Sequence, residues 1–117
     1  MIFIDFNTRV NGKAAYSGLF ILKDEVLCVL TGELFPKPTK FTIEIGKNEH
    51  ILDHYGMYFN HSSDDPTVEI NGKNVIALRD IMVGEEICFD YNNSETVVVS
   101  PFVDSVSGSV VKGRSFE

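Results

Sequence analysis

A mainly β domain built from short strands is what the sequence predicts, on three observations. Apolar or β-branched runs are brief, at 2–4, 19–22, 26–30, 41–45, 66–70, 74–78 and 86–90, and turn residues such as Asn11-Gly12, Pro36, Pro38 and Gly46-Lys47-Asn48 separate them. Asn71-Gly72 lies between Val68-Glu69-Ile70 and Asn74-Val75-Ile76, and that pair tolerates the positive φ angles of a type I′ hairpin turn. In no window of a dozen residues do apolar side chains recur at i, i+3, i+4 and i+7, so no long amphipathic helix is expected. One helical turn near 50–57 and another after Arg79 complete the expected elements.

The 117 residues suffice for a single domain, 1–117, which buries roughly 65% of the surface of its unfolded chain. A composition with 44% hydrophobic and 23% charged residues excludes a disordered chain. Charge-free runs are too short to span a bilayer, and Met1-Ile2-Phe3-Ile4-Asp5 lacks the basic and apolar regions of a signal peptide. An intracellular protein without membrane contact is expected. Seventeen acidic against ten basic residues give a net charge of −7, which disfavours direct nucleic-acid contact and suits basic protein partners. Cys28 and Cys88 each sit inside an apolar stretch and read as small buried hydrophobes.

Three segments carry polar chemistry. In the first, His50-Ile51-Leu52-Asp53-His54, two histidines at i, i+4 would share a helical face, as in some zinc sites. The Glu that a zinc hydrolase places between them is absent and Gly56 soon breaks the helix, so no metal site is expected. The second, Tyr58-Phe59-Asn60-His61-Ser62-Ser63-Asp64-Asp65-Pro66-Thr67, leaves the core and turns sharply, offering side-chain donors and acceptors to its own backbone or to a ligand. The third is a strand ending at Arg79-Asp80, a turn at Gly84 and a second apolar strand closing in Phe89-Asp90-Tyr91.

Taken together, Asn60-His61-Ser62, Ala77-Leu78-Arg79-Asp80-Ile81, Gly84-Glu85-Glu86 and Phe89-Asp90-Tyr91 resemble, in order and spacing, the C-terminal signature of SET domains. That family transfers methyl groups from S-adenosylmethionine to protein lysines. The resemblance extends to Tyr16-Ser17-Gly18-Leu19-Phe20, compared with the family's Gly-x-Gly stretch followed by an apolar and an aromatic residue, and to Thr31-Gly32 after the next strand. It implies short strands in small, β-clip-like sheets, with 86–91 threading beside Asn60-His61 in a C-terminal pseudoknot. The near absence of an insert between the two halves makes the chain similar to the minimal SET enzymes known from viruses, active in cytoplasm or host nucleus.

The resemblance also implies roles. Tyr91 is the catalytic tyrosine, its hydroxyl directed at the transferring methyl. Ser17, Gly18, Asn60, His61 and Phe116 hold S-adenosylmethionine, and Phe89 with Tyr58 walls the channel for the lysine. The partner is a basic, lysine-containing protein segment, and a homodimer is compatible with the reading. Several positions depart from the family pattern: Tyr16 replaces a glycine, Ser63 a cysteine and Thr67 an asparagine. The tail 102–117 resembles the post-SET segment, with its three zinc-binding cysteines replaced at Asp104, Val106 and Val111. A lysine methyltransferase is therefore expected, adding two or three methyls because Phe89 has no hydroxyl to anchor the amine. A catalytically silent module binding basic peptides is the alternative.

Overall fold

The computed structural model describes residues 1–99, 101–103, 108 and 110–113. In chain order these form β1 (Ile2–Asn7), β2 (Gly12–Ser17), β3 (Val26–Val29), β4 (Glu33–Phe35), β5 (Ile43–Gly46), β6 (Glu49–Leu52), a 3₁₀ turn (Gly56–Tyr58), β7 (Asn60–His61), β8 (Val68–Asn71), β9 (Asn74–Ala77), β10 (Cys88–Phe89), α1 (Tyr91–Ser94), β11 (Phe102–Val103) and β12 (Val110–Val111). The strands make small sheets: β3-β9-β8, β4-β6-β5, and the pairs β1-β2, β7-β10 and β11-β12. This is the mainly β fold of short strands that the sequence predicts.

Five local readings need correction. The run 19–22 is joined to its neighbour only through Ile21↔Ile81, because Leu19, Phe20 and Leu22 all face solvent rather than alternating. Strand β2 was not expected from Gly-Lys-Ala-Ala-Tyr-Ser, which lacks β-branched residues; its extended state comes from pairing. It matches β1 in unbroken antiparallel register, and its other edge meets the chain at Ile87 N–H to Ala15 O (2.8 Å) and Ser17 N–H to Glu85 O (2.9 Å). The expected helical turn over 50–57 shrinks to the 3₁₀ turn. His50 lies in β6, and the buried Asp53 carboxylate starts the turn by accepting from Tyr55 and Gly56 N–H (2.8 and 2.7 Å). No helix follows Arg79; α1 forms instead behind Asp90, whose side chain accepts from Asn92 N–H (3.0 Å). In the β8–β9 hairpin Asn71 pairs with Asn74, so the loop is Gly72-Lys73, and Gly72 alone is left-handed (φ 59°). That suits a type II′ turn rather than type I′.

One apolar cluster ties the sheets together, with Leu30, Ile51, Phe59, Val75, Ile81 and Ile87 at its centre. Its corner is fixed by Gly32 (φ 142°), where a Cβ would lie 2.0 Å from Leu52 O, and by Asp53, whose other oxygen accepts from Thr31 N–H (2.8 Å).

The threaded segment organises the rest. Strand β10 runs parallel to β7, pairing Cys88 with Asn60 and Phe89 with His61. On its other side Thr67 N–H bonds Cys88 O (3.0 Å), while the Thr67 hydroxyl donates to Glu86 O (3.0 Å) and accepts from Cys88 N–H (2.9 Å). Thus 86–91 passes between the Asn60-His61 strand and Thr67. Burial pushes the thiol of half-buried Cys28 up to about 11 and raises that of buried Cys88, so both behave as unreactive apolar groups.

Candidate active site

The parallel pair delivers two side chains to one point. His61 Nδ1 accepts the Tyr91 N–H (3.0 Å), which leaves the proton of a neutral imidazole on Nε2. Tyr91 donates its hydroxyl hydrogen to Phe59 O (2.5 Å), and its ring lies 4.8 Å from that of Phe89. Burial, and secondarily the charge of Glu95, raises the Tyr91 phenol far above its usual range, so it stays protonated at any working pH.

A charge network holds the neighbouring Asn60. Its Nδ2 donates to Glu86 Oε2 (3.0 Å) and to Lys13 O (3.4 Å). Glu86 Oε1 receives Arg9 Nη2 (2.7 Å) and Asn7 Nδ2 (3.3 Å), and the same Asn7 amide donates to the Tyr16 hydroxyl (3.1 Å). The Asn60 carboxamide is thereby oriented through its nitrogen, and its oxygen takes no part in the network.

These residues border a cleft of about 440 Å³. One wall is Arg9 and Val10 from the β1–β2 loop, a second is the segment 39–43, and a third is Phe59, Asn60, His61, Phe89 and Tyr91. Glu95, residues 97–99, Phe102 and Val103 close the remaining side. Phe102 meets His61 and Tyr91 edge-on, at 5.9 and 6.2 Å between ring centroids.

Of the residues expected at the site, Asn60, His61, Phe89 and Tyr91 converge on the cleft, while Ser17, Gly18 and Tyr58 do not line it. Strand β2 continues to Ser17, which is 1% exposed and bonds Leu19 O through its hydroxyl (2.6 Å). Gly18 N–H binds Met1 O (2.8 Å), and a Cβ at Gly18 would touch Met1 at 3.3 Å. From this part of the chain the cleft is lined by Arg9 and Val10, ahead of β2. Tyr58 packs against the core with the Lys13 ammonium 5.9 Å from its ring centre. Phe116 lies outside the described residues. Sequence reasoning also missed Arg9 and Glu95, neither of which belongs to a recognisable pattern.

The three histidines part company: His50 is buried in β6, His54 is exposed and edge-on to Tyr55, and His61 sits in β7. Among the described residues no three His, Cys, Asp or Glu side chains gather where they could hold a metal. A second cleft, of about 230 Å³, shares Arg9 and His61 with the first. Arg79 dominates it, gripping Asp65 (3.0 and 3.1 Å) and Glu85 (3.1 and 2.9 Å) and so tying the 62–67 loop to the 84–86 turn. The Arg79 hydrogen bonds hold the Glu85 carboxyl below its ordinary value.

Comparison with known proteins bears on the family and the fold. No curated protein matches the chain by sequence. Among solved structures, a candidate histone methyltransferase of Plasmodium falciparum is 24% identical with a TM-score of 0.60, over 80% of this chain and 99% of that one, a likeness of fold. The sequence profile of the SET domain matches residues 6–92, from within β1 to the second residue of α1. On that match, across most of its length, the chain belongs to the SET-domain family of methyltransferases.

Proposed function

We propose that the chain is a protein-lysine N-methyltransferase that uses S-adenosylmethionine and acts on a basic protein segment. The observation that carries the reading is the Tyr91 phenol, deep in the 440 Å³ cleft beside Asn60 and His61, with its hydrogen committed to Phe59 O. The cleft fits the cofactor: its volume is within the roughly 300–1,000 Å³ of ligand pockets, and its walls mix apolar side chains with polar ones such as Arg9, Asn60, His61 and Glu95. Asn60 and His61 would hold the cofactor's amino-acid and adenine parts, with Arg9 beside them. When bound, S-adenosylmethionine supplies an electrophilic methyl on a positively charged sulfur.

The protein's own task is positioning and drying. With its hydrogen turned to Phe59, the Tyr91 oxygen presents lone pairs, which attract the polarised hydrogens of a methyl or ammonium group. A free lysine has a pKa of about 10.4, so only on the order of one in a thousand is neutral near pH 7.4. Phe59 and Phe89, 2% and 3% exposed, exclude water around the amine and favour the neutral form. Their rings also tolerate a methylated ammonium afterwards. The Tyr91 phenol stays protonated and cannot take up a proton, so the amine loses its own to water before attack, and alignment supplies the acceleration.

Incubation with labelled S-adenosylmethionine and a panel of basic proteins tests the reading, alongside calorimetry with S-adenosylhomocysteine. Label on lysine supports it; peptide binding with neither label nor cofactor binding would instead establish a silent module. Phe89 deepens the proposal, because a phenylalanine leaves the amine free to rotate for a second transfer. Phe89→Tyr is expected to shift the product from di- or trimethyl-lysine toward monomethyl-lysine in mass spectra after long incubation.

A further inference from the structure

The SET profile ends at residue 92, yet the outer side of the cleft is made by 97–99, Phe102 and Val103. The family orders this tail with zinc-binding cysteines, and the residues here do not fit a metal. Val111, at one cysteine position, is apolar and fully buried, both cysteines of the chain lie elsewhere, and Asp104 and Val106 are outside the described residues.

A carboxamide holds the tail instead. Asn92 Oδ1 accepts from the backbone N–H of Lys112 (3.1 Å) and of Gly113 (2.9 Å), while its Nδ2 donates to Val110 O (3.2 Å). A primary amide presents a donor and an acceptor side by side, as a peptide group does, so it serves as a missing strand neighbour for β12. Two further contacts fix the same segment. Val98 N–H bonds Lys112 O (3.0 Å), and Gly113, left-handed at φ 96°, sits so close to the chain that a Cβ would lie 2.5 Å from Thr96 O. Strand β12 in turn pairs with β11, setting Val111 opposite Phe102.

We propose that Asn92 is a positioning residue that locks the tail as a permanent wall of the cleft, so the site is complete without zinc and before any ligand arrives. Its place directly after Tyr91 couples the wall to the tyrosine at the centre of the site. Only the ligand readout below rests on the function proposed above.

The test uses the full chain with Asn92→Ala, Asn92→Asp and Gly113→Ala, their folding checked by circular dichroism. S-adenosylhomocysteine affinity is measured by calorimetry and exposure of the tail by limited proteolysis. Asn92→Ala and Gly113→Ala are each expected to weaken binding about tenfold, the scale of one or two lost net hydrogen bonds, and to speed cleavage of the tail. Asn92→Asp keeps the acceptor and loses the donor, so it is expected to fall between wild type and Asn92→Ala. A chelator or added zinc is expected to change neither readout in the wild type. Unchanged affinity and unchanged cleavage in Asn92→Ala, or a tail loosened by chelator, overturns the proposal. Wild-type protein that binds no S-adenosylhomocysteine defeats the proposed function instead, and the proteolysis comparison still decides the role of Asn92.

Discussion

The wall of the cleft formed by β7 and β10 is tied through the interior, whereas the wall formed by β11 and β12 lies at the surface except for Val111 and hangs from Asn92 and a few backbone contacts. His61 and Phe89 are 5% and 3% exposed, but Phe102 is 41% exposed. The first wall is bonded on both flanks by backbone and by Thr67; the second is a two-residue ribbon held at Asn92 and Gly113. A wall that fixes the reacting oxygen needs the rigidity of a packed core. One that only covers the ligand can remain peripheral, where a few weak contacts set its strength. Chemistry and retention of the ligand are therefore separable by mutation.

The largest effect should come from Tyr91→Phe, which keeps the ring between Phe89 and His61 and removes only the hydroxyl. Turnover is expected to drop about a hundredfold or more, with S-adenosylhomocysteine affinity nearly unchanged, as stopped-time assays and calorimetry would read. Unchanged turnover would break the assignment of chemistry to the inner wall. Next, Thr67→Val preserves shape but leaves Cys88 N–H without its partner inside the core. A stability loss of about 2 kcal/mol in urea unfolding is expected, the cost of an unsatisfied buried group. A neutral result would show that the threaded segment is held by packing alone. On the outer wall, Phe102→Ala should weaken S-adenosylhomocysteine only severalfold and leave global unfolding unaffected, since the ring is already half in solvent. A cooperative loss of stability there would erase the contrast between the walls.

The smallest effect concerns acid. Glu85 titrates below its ordinary 4.5 because Arg79 bonds its charged form. Its contribution is thus present above that value and disappears as pH falls through the depressed one. Glu85→Gln should flatten that acid limb of stability by about 0.5 kcal/mol, as befits a partly exposed ion pair, and melting curves between pH 3 and 6 would record it.

How much could be read in advance differs along the same line. The inner wall was legible because Asn60-His61 and Gly84-Glu85-Glu86 through Tyr91 form a fixed polar pattern, and a chain that must thread a core tolerates few alternatives there. Strand β2 was not legible. Ala14 and Ala15, completely buried, give no local strand signal, so the continuation of β2 to Ser17 was not foreseen. Arg9 and Glu95 were invisible, since a lone charge acquires meaning only when tertiary structure brings Glu86 or Tyr91 beside it. The helical turn assigned to 50–57 failed because β6 is imposed by its two neighbours, β4 and β5, against a weak local preference.

The parallel pairing of β7 with β10 also dictates an order of assembly. Its partners lie about 28 residues apart in sequence, and closing so long a loop around a threaded strand is entropically costly. The β8–β9 hairpin occupies the middle of that loop and forms from contacts a few residues apart. Once Val68 faces Ala77, Thr67 N–H is not the only anchor near β10: Leu78 N–H bonds Thr67 O (2.9 Å), which brings the chain leading to Cys88 alongside. The hairpin shortens the effective distance that the last strand must search, and so a turn remote from the cleft governs how quickly the cleft comes into being.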